Sequence, residues 1–179
     1  MKFELKSNYN DFSKRWNKLP DLIDEATYNT VNKILYQMCE DMKREIAENT
    51  ATWLGHDTTK LFGLGNDIEY EVSGNYGTIY VGRNTPELQM ADGRTVNPYL
   101  FIQFGFGIEG EANPVRYANQ RRWEYNINDH VKAWWYADEN GDVEWSVGRI
   151  GIDFFYAVID KYRDQWKKIA QEEFGKILL

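Results

Sequence analysis

The chain has 179 residues and a formal net charge of −7, and hydrophobic residues make up 42% of it against 27% charged. That balance describes a one-domain globular protein with a sizeable core, and it argues against gripping nucleic acid as a main role, because phosphate contacts need clustered Lys and Arg. No apolar run approaches the roughly 20 residues of a membrane span, and the single cysteine, Cys39, leaves no internal disulfide and no multi-cysteine metal site.

The opening MKFELKSNYNDF has no apolar signal region, so a cytoplasmic protein is expected. KFELK alternates and reads as a short strand or arm. NDFSKRWNK reads as a short helix, and together they make an arm over 1–18. A longer helix is predicted over 20–49. Pro20 suits a first helical turn, and Asp21, Asp24 and Glu25 complement the positive end of the dipole. Val31, Ile34, Leu35, Met38, Met42 and Ile46 then recur at spacings of three and four, giving one apolar stripe. Cys39 lies beside that stripe and reads as a buried, inert thiol. ATWLGHDTTKLFGLG reads as a loop.

Ile68, Tyr70 and Val72 alternate with Glu69 and Glu71, and SGNYG turns the chain back into Thr78 to Val81, which is a hairpin signature. NTPELQMADGRTVNP reads as a second loop. The apolar run at 99–104 reads as a strand that breaks at Gly105. WWYA and VEWSV flank DENGD, whose Asn140-Gly141 signals a second hairpin. Sheet and hairpins together occupy 66–148. Phe155, Val158, Ile159, Tyr162, Trp166, Ile169 and Phe174 predict a helix over 151–178. The expected fold is a single α+β domain: a mainly antiparallel sheet packed against a long helix in the N-terminal half and a long C-terminal helix, with extended loops.

Catalytic chemistry is thinly supplied. The two histidines, His56 and His130, are far apart in sequence, and neither His56-Asp57 nor Asp129-His130 makes a base and its orienter merely by adjacency. Glu69 and Glu71 are explained by the wet face of a strand. GFGIEG fits a dinucleotide glycine spacing but lacks the strand–turn–helix context. RYANQRRW gathers Arg116, Arg121 and Arg122 and reads as a solvated loop or a partner for acidic neighbours. Trp123, Tyr125, Trp134, Trp135, Tyr136 and Trp145 either pack a small sheet or meet another protein, or else form a platform for sugar rings.

Three segments in this order resemble one family: the run into YLFIQFGFGIEG, then WEYNINDHVKAWWYADENGDVEWSVG, then GIDFFYAVIDKYRDQWKKIAQEEF. The chain resembles the head–tail connector, or tail-completion, proteins of long-tailed bacteriophages, the gene-10 minor tail-component family of lambdoid phages. The family's glycine motif is matched at Phe104, Gly105, Gly107, Ile108 and Gly110, with Gln103 in place of a Glu and Phe106 in place of a Thr. Its aromatic motif is matched at Trp123, Tyr125, Asn128, His130, Trp134, Trp135, Tyr136, Trp145 and Gly148. Before the aromatic pair Phe154-Phe155, Asp153 stands where the family has a Pro. The likeness covers 66–174.

The resemblance implies a structural virion protein, not an enzyme, with no cofactor and no metal. It implies a ring of copies at the neck, between the portal-adaptor assembly and the tail tube or its terminator, assembled in the bacterial cytoplasm. DNA would pass through that ring without being specifically bound. The candidate interaction residues are Phe104, Gly105, Phe106, Gly107, Ile108, Trp123, Trp134 and Trp135. Two placements of Phe106 stay open: folded back into the core, or presented to a neighbouring subunit. The rival function is a carbohydrate- or receptor-binding module on the Trp/Tyr hairpin.

Overall fold

A computed structural model describes residues 9–54, 67–89, 93–125, 133–137 and 143–177 of the chain. Helix α1 runs from Tyr9 to Leu54 without a break. At about 1.5 Å per residue it is roughly 69 Å long. The expected short helix and the expected 20–49 helix are therefore one element, with Pro20 in its interior. A proline there removes one backbone hydrogen bond, but the flanking turns hold good helix formers such as Lys14, Lys18 and Leu22, and these carry the chain across.

The buried side of α1 holds Ala26, Thr30, Cys39, Met42 and Ile46, with Ile34 and Met38 partly covered. Helix α4, Phe154–Gly175, packs along it. The two run antiparallel: Lys33 meets Glu172 and Glu173, whereas Asp41 meets Lys161 and Tyr162. Hairpin β1 (Ile68–Ser73) and β2 (Tyr76–Val81) lies on a second side of α1, where Val31 and Leu35 approach Gly77. One core joins these elements through Ile68, Tyr99, Ile102, Phe154, Val158 and Tyr162.

Among the described residues strand pairing is antiparallel and falls into four separate two-stranded units. Besides β1–β2 these are β3 (Leu88–Gln89) with β4 (Thr95–Val96), β5 (Gly105–Phe106) with β8 (Gly148–Ile150), and β6 (Trp134–Ala137) with β7 (Val143–Ser146). The α+β class with two long helices stands. A continuous sheet does not form among the described residues, because several strands are only two or three residues long and helices intervene. The second expected loop contains β3 and β4. The expected strand or arm at KFELK, residues 2–6, and most of the loop at 51–65 lie outside the described residues.

The run at 99–104 is not a strand. Pro98–Phe104 forms helix α2. Asn97 caps it by accepting from the Tyr99 amide at 3.0 Å, and Pro98 fills the first position, where its missing N–H is no loss. A short apolar run without alternation fits a buried helix as well as a strand, and here five side chains of α2 besides Pro98 are buried. Gly107–Ala112 forms a short helix α3. No described helix is long and apolar enough to cross a membrane.

Asp41 is the most connected polar group between the long helices. It accepts from Lys161, from the Tyr162 hydroxyl at 3.0 Å and from Arg44. Burial alone would raise its carboxyl; the hydrogen bonds from Lys161 and Tyr162, with the Lys161 charge, outweigh that and hold it below the ordinary range. A carboxyl lowered in the fold contributes stability above its unfolded value of about 3.9, and that contribution is lost as pH falls through the folded value. Burial, helped by Asp41, pushes the Tyr162 phenol up to about 12. Asp41→Asn is expected to cost about 1–3 kcal/mol at pH 7 and to flatten the loss of stability below pH 4. Denaturant midpoints measured across pH test this, and an unchanged acid profile in the variant would refute it.

Candidate functional site

Helix α2 ends where Gly105 takes φ 79° and ψ −178°, a conformation that side chains oppose. β5 then runs beside β8, with Gly105 opposite Ile150, Phe106 opposite Arg149, and Gly107 bridged to Gly148. Gly148 has φ 88°, and a Cβ there would collide with the Phe106 carbonyl. A Cβ on Gly105 would lie 2.5 Å from the Arg149 carbonyl oxygen and from the Gly151 amide, and one on Gly151 the same distance from the Gln103 carbonyl oxygen. The glycines bring two backbones, 103–110 and 147–152, into direct contact.

Other segments fasten this crossing. The Trp123 indole donates to the Gly105 carbonyl at 2.9 Å, and its ring sits 5.3 Å from both Phe101 and Phe104. The Gly107 amide donates to Tyr125 at 2.7 Å and the Glu109 amide to Val147 at 3.0 Å. Gln103, only 3% exposed, donates from its amide nitrogen to Asp153 at 2.8 Å and accepts from the Phe155 amide at 2.9 Å. It thereby caps α4 and ties α2 to it. The Ile152 amide donates to Ile102 at 2.6 Å beside this latch.

The candidate residues divide. Phe104, Gly105 and Gly107 are buried in the crossing, and Trp123 closes it. Phe106 is half-buried and packs on the core, edge-on to Phe101 at 6.1 Å, which decides its orientation towards the core. Ile108 is 48% exposed. Trp134 and Trp135 belong to β6, opposite Ser146 and Trp145; their side chains are not among those described. That hairpin packs chiefly on itself among the described residues, and Trp145 is 52% exposed.

Both histidines and Asp57 and Asp129 lie outside the described residues. Among those described, no three His, Cys, Asp or Glu side chains are grouped as a metal ion needs. Burial pushes the Cys39 thiol up to about 11, as suits a packed, protonated sulfur. Glu71 is exposed and bonded to Arg83 and Tyr80, in keeping with a solvated strand face. Sequence reasoning missed the Gln103–Asp153 latch and the pairing of the two glycine segments. The available signal was the glycines on both sides, FGFG and VGRIG.

No family model, curated protein or solved structure matches the chain.

Gly148→Ala is expected to destabilise by more than about 3 kcal/mol, since strain and backbone collision act together. Gly93→Ala, with a similar φ but open space around it, should cost about 1–2 kcal/mol. Equal losses in chemical denaturation would overturn the close-contact account. Phe106→Ser should likewise lower stability, by about 2–3 kcal/mol.

Proposed function

We propose that the chain is a structural protein of a bacteriophage or prophage particle. It completes the tail or joins it to the head as a ring of copies at the neck, between the portal-adaptor assembly and the tail tube or its terminator. One observation carries the reading. Residues from each of the three segments that hold the resemblance, spread over some fifty positions, meet in one knot: Phe104, Gly105 and Gly107, then Trp123 and Tyr125, then Gly148 and Phe154, while the Trp134–Trp145 hairpin stands apart from it. Chance likeness in three separate segments gives no reason for them to meet.

The departures from the family pattern also meet. Gln103 replaces a Glu and Asp153 replaces a Pro, and these two side chains are hydrogen-bonded. A Glu at 103 would set carboxylate against carboxylate. The amide donates to Asp153 and still accepts from Phe155, so the two departures suit each other.

The alternative reading, a sugar- or receptor-binding hairpin, rests on the exposed Trp145 opposite Trp135. Negative-stain microscopy of particles made without this protein separates the two. Full heads beside unjoined tails are expected. Intact particles that only fail to adsorb to cells would favour the receptor reading and sink the joining role.

A further inference from the structure

We propose that copies of this chain join head to tail through opposite charges set near the two ends of α4, with Arg121 and Arg122 of one copy on Asp21, Asp24 and Glu25 of the next. The inference rests on the ring reading and names its contact.

Arg122 sits at φ 54° in a turn closed by Trp123 N–H to the Ala118 carbonyl and Arg122 N–H to the Asn119 carbonyl. That pair of bonds is a Schellman closure, whose left-handed position glycine normally fills. An arginine there is strained, and its side chain is exposed, with no ion pair or hydrogen bond to it among the described residues. Arg121 beside it is exposed and lies over the Tyr156 ring at 5.8 Å. Arg44, Arg83, Arg94, Arg116 and Arg163 each meet a carboxylate. In a chain of net charge −7, two adjacent guanidiniums that meet no carboxylate among the described residues are complementary to the surface of another copy.

The complement is specific. Asp21, Asp24 and Glu25 are spaced i, i+3, i+4, so they share one side of α1, and all three are exposed. No ion pair ties them to Lys18 or any other described cation. They lie on the part of α1 that passes the end of α4, since Lys33 already meets Glu172 and Glu173. Arg121 stands over the first turn of α4. The length of α4, about 33 Å at 1.5 Å per residue, keeps the two patches from meeting within one chain. A contact between two different patches of identical copies is heterologous, and it closes as a ring or runs on as a filament.

Sedimentation of the full chain tests this. Wild type should self-associate at low salt and weaken towards 1 M, where charges are screened within about 3 Å. The double variants Arg121→Glu/Arg122→Glu and Asp21→Lys/Asp24→Lys should each associate at least about tenfold more weakly while keeping the wild-type circular dichroism. Mixing the two should restore assembly, and so should the fourfold reversal in one chain. If wild type assembles and both variants assemble equally well, this contact is wrong and the ring reading survives. Failure of the mixture to recover also overturns it, as does a wild type that stays monomeric; the particle experiment then judges the ring reading separately. Binding of labelled duplex DNA that is lost in the arginine variant, with assembly unchanged, would assign the arginines to phosphate instead.

Discussion

Where residues 103–110 pass 147–152, no side chain fits between the backbones, and most of the structure is arranged around that contact. Gly105 and Gly148 hold conformations with positive φ, and the atoms opposite them are main-chain atoms that cannot swing aside. The crossing fixes where α2 must stop and where β8 must run. It therefore fixes where α4 starts, after a three-residue link from β8. Gln103 and the Ile102–Ile152 hydrogen bond then transmit the position of α2 to the first turn of α4.

The long helices take their alignment from the other end of this chain of constraints. Phe154, buried at the start of α4, belongs to the same core as Met42 and Ile46 of α1. Further along, Asp41 with Lys161 and Tyr162, and Glu173 with Lys33 and Lys176, mark two levels of the helix pair. Apolar packing sets the face and the ion pairs set the register. The buried carboxylates of Asp41 and Glu173 would be costly unpaired, so a slip by one turn is penalised at both levels.

Periodicity made the long helices and the first hairpin legible, and the Asn140-Gly141 turn the second, because a stripe at three-and-four spacing, strict alternation or a turn dipeptide is a local signal. Three features were not local. Asn97 and Pro98 read as the end of a loop although they cap a helix, the apolar run after them has no period of its own, and burial on nearly all sides settled it as helix. Pro20 looked like a beginning because a proline signal cannot tell a first turn from an interior that its neighbours sustain. The glycine crossing was half-legible: Gly105 marked a break, yet its partner lies more than forty residues on, and nothing in either segment names the other. Phe106 depended on that partner. Once β5 pairs with β8, its ring meets Phe101 and the core. Trp123 was found for its chemistry as an aromatic, whereas its hydrogen bond to Gly105 depends on the fold.

A rigid crossing bears on the proposed ring in a specific way. A closed ring requires each copy to repeat the same small rotation, and angular errors add around the circuit. In the proposed contact the parts that project to a neighbour are the first half of α1 and the Arg121–Arg122 turn. Projections set the rotation only if their roots are fixed. The start of α1 is rooted in the helix pair, and the Arg121–Arg122 turn is rooted through Trp123 in the glycine crossing. The two charged patches are thus anchored near opposite ends of α4. The same glycine contact that leaves no room for a ligand between the backbones holds the angle at which one copy would present itself to the next.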